Sequence, residues 1–357
     1  MASRVGVIGA GSWGTTLANL LAEREEVDLW VYEEDLFRSM EIKRENEVFL
    51  PGIHLLDGVH LTHSLEKAFA DKAVLICAVP SHAVRVVFQQ GQTFLSPNVL
   101  IISGTKGLED KTRLRITQVI REAVNRNDQA AVACLSGPSF AREVSRKFPA
   151  AVAVAGDKPG AAEKAQDLLA RPYFRIYTNP DLIGVELGGA IKNVMAIAAG
   201  TSDGLGFGHS SRAALITRGL AEMTRLGVRL GADARTFAGL AGLGDLVLTC
   251  TGDLSRNRWV GLELGKGRKP ADIQGEMKMV AEGIRTTKAL LHLSQELKVE
   301  MPITEKVYQI LFEGKEPRAA VMELMSRDPR SEKEEWAGKQ EGSPRIGKGV
   351  HKNKNTS

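Results

Sequence analysis

The sequence predicts an α/β domain on a doubly wound, mostly parallel sheet, followed by an all-α domain, and three observations carry that prediction. Short apolar runs at residues 4–8, 27–32, 73–78, 99–103, 131–135 and 150–155 alternate with helical stretches, as strands buried on both faces do. From residue 184 onward the periodicity is helical, with Ala213, Ile216, Leu220 and Met223 at helix-face spacing and no return of strand-like alternation. The chain of 357 residues also exceeds the roughly 250–300 that one core usually encloses. The expected division is 1–183, 184–327 and a tail over 328–357.

Each element has a local reason. The first run, "RVGVI", feeds the glycine-rich "GAGSWG" and then a helical stretch at 15–24; the second ends in the acidic "WVYEED". The fourth and fifth runs lead into "SGTKGLE" and "SGPSFARE", loops at strand C-termini, the edge where open α/β sheets bind ligands. "ELGGAIKNVMAIAAG" opens the helical half, and "AGLGDLVLTC" and "TGDLSRNR" lie further along it, with Asp253 or Ser255 suited to cap a helix. Beyond Arg327 the sequence turns to Pro, Glu, Lys, Gly and Ser with isolated Trp336, Ile346 and Val350, too little apolar surface to offset ordering entropy, so a disordered tail is expected.

Composition narrows the function. The formal charge of +4 resides in the tail, where Lys339, Arg345, Lys348, Lys352 and Lys354 face one acid, Glu341, so the body is neutral and carries no nucleic-acid signature. No apolar run approaches the ~20 residues of a membrane-spanning helix, and membrane insertion is not expected. Cys77, Cys134 and Cys250 are widely spaced without a Cys-x-x-Cys pair, which reads as buried small residues instead of a disulfide framework or zinc site. Met1 leads straight into a strand-like run with no signal-peptide pattern, making the cytoplasm the expected location.

Gly9, Gly11 and Gly14 form G-x-G-x-x-G between a strand and a helix, a Rossmann-type arrangement. The first glycine makes a tight turn, the second admits the pyrophosphate, and the third lets helix pack on strand. Past the second strand, Glu33, Glu34 and Asp35 offer an acid for the ribose hydroxyls, with no Arg or Lys for a 2′-phosphate, which leans toward NAD over NADP. A solvated acidic turn accounts for the same residues equally well. Lys106 and the group Ser136, Gly137, Pro138 and Ser139 stand at one sheet edge. Lys192 is the one ionisable side chain between Glu186 and Asp203, and Gly188, Gly189, Met195, Ala196 and Ala199 share its side of the helix. A buried ammonium loses hydration and its pKa falls, which makes it a usable proton donor near neutrality. Asp245, between glycines and an apolar run, suits a buried cation, and Ser255, Arg256 and Asn257 suit an anion such as a phosphate ester.

Together these stretches, with "LICAVPSHAV", "SDGLGFG", "ITRGLAEM", "VAEG" and "MPITE", resemble in order the NAD(P)-dependent glycerol-3-phosphate dehydrogenase family of bacterial type. The resemblance runs from the first strand to about Arg327. It implies interconversion of dihydroxyacetone phosphate and sn-glycerol 3-phosphate, the step that supplies the phospholipid backbone. It implies that Lys192 protonates the alkoxide formed at C2, that Lys106 of the T-K-G loop contacts substrate and cofactor, and that Asp245 lies beside the reacting centre. Gly137 and Ser139 match the substrate loop, and Ser255, Arg256 and Asn257 the segment that receives substrate, Arg256 also lying near the dinucleotide. Ser12, Trp13, Ala141, Val280 and Glu282 match cofactor contacts. No metal is called for, and a homodimer is implied. Tyr32 stands where many members carry Arg or His for the 2′-phosphate, and His209 and Ser210 depart from the usual loop. Two other readings stay open: a β-hydroxyacid dehydrogenase of similar build, which would need a carboxylate site at Arg256 and Asn257, and a dinucleotide sensor without turnover.

Overall fold

The computed structural model describes residues 4–125, 127–277, 281–329 and 331–332. The calls on Val280 and on the tail from 333 onward lie outside them. Eight strands, β1 Arg4–Ile8, β2 Glu26–Trp30, β3 Val59–Thr62, β4 Val74–Cys77, β5 Leu100–Ser103, β6 Ala131–Ser136, β7 Ala150–Gly156 and β8 Phe174–Thr178, form one sheet in the order β3-β2-β1-β4-β5-β6-β7-β8. Every neighbouring pair is parallel except β6 with β7. Between them run α1 Ser12–Leu21, α2 Glu34–Lys43, α3 Leu65–Phe69, α4 Val84–Gly91, α5 Ile116–Ala123, α6 Ala141–Ser145 and α7 Ala161–Leu169. Alternate strand residues face two cores. Val5 and Val7 of β1 pack with Leu17, Met40 and Leu169 from α1, α2 and α7, whereas Ile8 and Ile101 pack with Phe69, Phe88 and Ile120 from α3, α4 and α5.

The sequence reading named six of the eight strands. The two it lacked, β3 and β8, are the outer strands, and both carry exposed or half-buried residues beside buried ones, so neither offers the continuous apolar run that marks a central strand.

The rest is helical: α8 Leu182–Gly204, α9 His209–Arg229, α10 Ala234–Phe237, α11 Asp245–Thr251, α12 Arg256–Gly265, α13 Pro270–Glu276, α14 Glu282–Glu296, α15 Pro302–Phe312 and α16 Pro317–Met325, with a π-helical turn at Leu240–Gly244 before α11. Asp181 caps α8 by accepting from the Gly184 N–H at 2.8 Å. Most of α8 is buried because α12, α9, α11 and α14 all pack on it. Over an 18-residue window α8 reaches a mean hydropathy of 1.5 and is long enough to cross a bilayer, but 83% of that window is enclosed by the protein's own helices and sheet edge. It is apolar all round because it is a central core helix.

Candidate active site

Lys106 follows β5, Gly137 follows β6, Lys192 lies in mid-α8 and Asp245 opens α11. The double glycine preceding Ala190 brings these segments to one point. A Cβ on Gly188 would lie 2.4 Å from the Ala241 carbonyl oxygen of the π-helical turn, and one on Gly189 would lie 2.4 Å from Ser136 Oγ and 3.5 Å from Lys106 Cγ. One glycine therefore admits the segment that carries Asp245, and the other admits the sheet edge that carries Lys106.

Asp245 joins the two lysines. Its Oδ1 accepts from Lys192 Nζ and its Oδ2 from Lys106 Nζ at 2.6 Å. Lys192 Nζ also donates to Thr249 Oγ1 at 2.7 Å, while that hydroxyl donates to the Asp245 backbone carbonyl at 2.6 Å. Lys106 reaches the Gly137 carbonyl at 3.3 Å, the same oxygen that accepts from Ser139 Oγ at 3.1 Å. Gly137 has φ +144°, and a Cβ there would lie 2.8 Å from Val152 Cα, so only glycine makes this turn. Lys192 is 6% exposed and Asp245 1%. Burial drives the Lys192 ammonium down to about 7; the Asp245 carboxylate opposes that shift and the Lys106 ammonium adds to it. Two cations share one carboxylate in a dry setting, which suits a substrate or transition state that carries negative charge.

The residues at the glycine loop fit a dinucleotide. Gly9 has φ +112°, a Cβ on Gly14 would lie 1.8 Å from the Gly9 carbonyl oxygen, and a Cβ on Gly11 would meet nothing within 4 Å. Turn, helix packing and open approach fall to the three glycines as the motif requires. Ser12 and Trp13 open α1, and Trp13 Nε1 is a buried donor without a hydrogen-bond partner among the described residues. Ala141 opens α6 beside them, its carbonyl accepting from Thr16 Oγ1 at 3.2 Å. The strand order reverses between β1 and β4, which sets the crevice over this loop and over the ends of β4 and β5. Beyond β2, Tyr32 is 70% exposed and Glu33 stands at the start of α2.

On the helical side, Ser255 is the N-cap of α12, its Oγ accepting from the Arg258 N–H at 3.2 Å, so the capping role that its residue type allowed is realised. Arg256 keeps contact with solvent while protein atoms crowd it; that crowding lowers its pKa, and Glu282 opposes the shift. Asn257 Oδ1 accepts from the Gly283 N–H at 3.0 Å. Glu282 lies across the crevice against Ser81. Sequence reasoning missed two residues here. Thr249 was findable, since it follows Asp245 by four positions and so shares its helix face. Ser81 was not, because its partner lies 201 residues away.

Comparison with known proteins places nearly the whole chain. Residues 4–162 match the family model for the NAD-dependent glycerol-3-phosphate dehydrogenase N-terminus, and residues 181–322 that for its C-terminus. A glycerol-3-phosphate dehydrogenase [NAD(P)+] of Geobacter metallireducens is 54% identical over 334 residues, 93% of this chain and 100% of that one. The crystal structure of a glycerol-3-phosphate dehydrogenase from Coxiella burnetii is 39% identical with a TM-score of 0.88, covering 91% of this chain and 99% of that one. One from Saccharomyces cerevisiae is 27% identical with a TM-score of 0.78, covering 92% and 100%. The chain belongs to the NAD-dependent glycerol-3-phosphate dehydrogenase family and is an NAD(P)-dependent oxidoreductase.

Proposed function

We propose that this chain interconverts dihydroxyacetone phosphate and sn-glycerol 3-phosphate, with the dinucleotide held by residues 1–183, the ester by 184–327, and Lys192 as general acid and base. The observation that carries the reading is the Lys192–Asp245–Lys106 triad, with Lys192 and Asp245 buried and Lys106 half-buried, at the sheet edge where the dinucleotide crevice ends. The dinucleotide, when bound, supplies the hydride for C2 or accepts it. Lys192, with its pKa near 7, gives a proton to the C2 oxygen in reduction and takes it back in oxidation. Lys106 polarises the same carbonyl and stabilises the alkoxide, while Asp245 holds both ammonium groups in place. Arg256, Asn257 and the N-terminus of α12 receive the phosphate.

NADH is the proposed cofactor. The β2 end presents Tyr32 and Glu33, and the nearby Arg38 is paired with Glu34 at 2.5 Å. A 2′-phosphate would meet acids there, whereas a ribose diol would find an acceptor. A cytoplasmic homodimer that serves phospholipid synthesis completes the proposal.

The test is to mix the purified protein with dihydroxyacetone phosphate and follow oxidation of NADH and NADPH in parallel. Turnover with a higher kcat/KM for NADH supports both parts. Turnover that favours NADPH overturns the role given to Glu33, and no turnover with either overturns the reaction.

A further inference from the structure

Two backbone loops and one helix start converge above the crevice in a way that the triad does not use. Ser81, 1% exposed, opens the first 3₁₀ turn after β4. Its N–H donates to Glu282 Oε1 at 3.0 Å and its Oγ to Glu282 Oε2 at 2.6 Å, so one residue of the sheet half holds both oxygens of a carboxylate at the first position of α14. Gly107, directly after Lys106, fits against this pair. It has φ +142°, and a Cβ there would lie 3.2 Å from Ser81 Cβ and 3.3 Å from Glu282 Oε2.

The next residue of α14 carries the contact onward. The Gly283 N–H donates to Asn257 Oδ1, and a Cβ on Gly283 would lie 2.7 Å from both that oxygen and the Asn193 carbonyl. A backbone N–H can only donate, so the oxygen of the Asn257 amide must face Gly283 and its Nδ2 is the side left to donate to a ligand. Glu282 also lies near enough to Arg256 to hold up that guanidinium's pKa. The start of α14 is thus joined to the Lys106 loop on one side and to Arg256 and Asn257 on the other.

We propose that Ser81 is a positioning residue for the reaction: through Glu282 it pins the start of α14 to the sheet edge, and that pin orients Asn257 and Arg256 toward the phosphate. The inference rests on the phosphate reading given above. Because the pin sets Asn257 and Arg256, its loss falls mainly on KM for the ester, read at saturating NADH since Glu282 is also an expected cofactor contact, and less on kcat, while removal of the acid itself would fall on kcat.

The experiment is a double-mutant cycle on dihydroxyacetone phosphate reduction with Ser81→Ala, Glu282→Ala and the pair, together with the melting temperature of each. Wild-type turnover is measured first, and its absence removes the phosphate reading and this proposal together. With turnover present, Ser81→Ala is expected to lower kcat/KM about tenfold, mostly as a rise in KM, and to cost nothing further in the Glu282→Ala background. If that background has no measurable turnover, Glu282→Gln, which keeps one of the two acceptors, replaces it, and the loss caused by Ser81→Ala is then expected to shrink instead of vanish. A Ser81→Ala enzyme within twofold of wild type overturns the proposal and leaves the reaction standing. An equal loss with and without Glu282 does the same, since it shows that Ser81 acts elsewhere.

Discussion

At the scale of single residues the chemistry turns on how Lys192 is kept dry and still held. Burial drives the ammonium toward its neutral form and Asp245 opposes that shift, which leaves Lys192 lowered to about 7, while Thr249 accepts from its Nζ. The sign of the pH dependence follows. With Lys192 as the proposed acid, reduction needs its protonated form, so kcat should fall as pH rises through about 7; oxidation needs the neutral amine and should fall as pH drops through the same value. Profiles in both directions check this, and a reductive rate that climbs through pH 8 contradicts it. Lys192→Ala should lower kcat by about 10²–10⁴ and leave the NADH dissociation constant nearly unchanged, which stopped-flow kinetics and fluorescence titration can show. The lysine was legible in sequence because a lone charge sat among Gly188, Gly189, Met195 and Ala196. Asp245 was legible as a partner for a buried cation, but that it meets Lys192, 53 positions away, and Lys106 together was not, since a side chain's type does not say which distant segments it meets.

At the scale of elements, α8 and α12 are held at backbone contact by glycines on both. A Cβ on Gly200 would lie 2.0 Å from the Arg258 carbonyl oxygen, one on Gly261 2.0 Å from that of Ile197, and one on Gly265 2.4 Å from that of Thr201. We expect Gly261→Ala to push the helices apart and destabilise the protein by about 1–3 kcal/mol, read as a lower urea midpoint, and to raise KM because α12 carries Arg256 and Asn257. A variant as stable as wild type would show that the crossing yields without cost. Helicity was legible here from periodicity, and the strands β1, β2, β4, β5, β6 and β7 from their apolar runs. The antiparallel direction of β7 was not, because a strand's side-chain pattern is the same whichever way it runs.

At the scale of the whole molecule the two halves are tied by buried groups. Leu108, two residues past Lys106, is 1% exposed and packs in the helical core. Glu186 on α8 accepts from Thr117 N at 2.7 Å and from Arg115 NH1 at 2.7 Å, joining α8 to the start of α5. Within the helical half, Glu222 of α9 is 2% exposed and accepts from Ile303 N at 2.6 Å and Thr304 N at 3.3 Å at the start of α15. Burial raises its pKa from 4.5 to about 7, against those hydrogen bonds and Arg225. The folded state therefore keeps a proton that the unfolded state has lost, and this group's contribution to stability declines as pH rises from 4.5 to about 7, then levels. Glu222→Gln does not titrate, so its stability relative to wild type should be more favourable at pH 8 than at pH 5, by about 2 kcal/mol. Urea unfolding at the two pH values checks this, and an unchanged difference contradicts it.

The sequence by itself determined the fold class, the glycine loop and the candidate side chains for the proposed reaction, because strand and helix periods, turn glycines and an isolated lysine are local properties of the chain. Only the tertiary structure decided that α8, apolar enough for a bilayer, is wrapped in protein, that Asp245 serves two lysines at once, and that Ser81 meets Glu282. These are outcomes of which surfaces bury one another. Burial and long-range pairing are set by the packing of all the elements together, which no window of sequence contains.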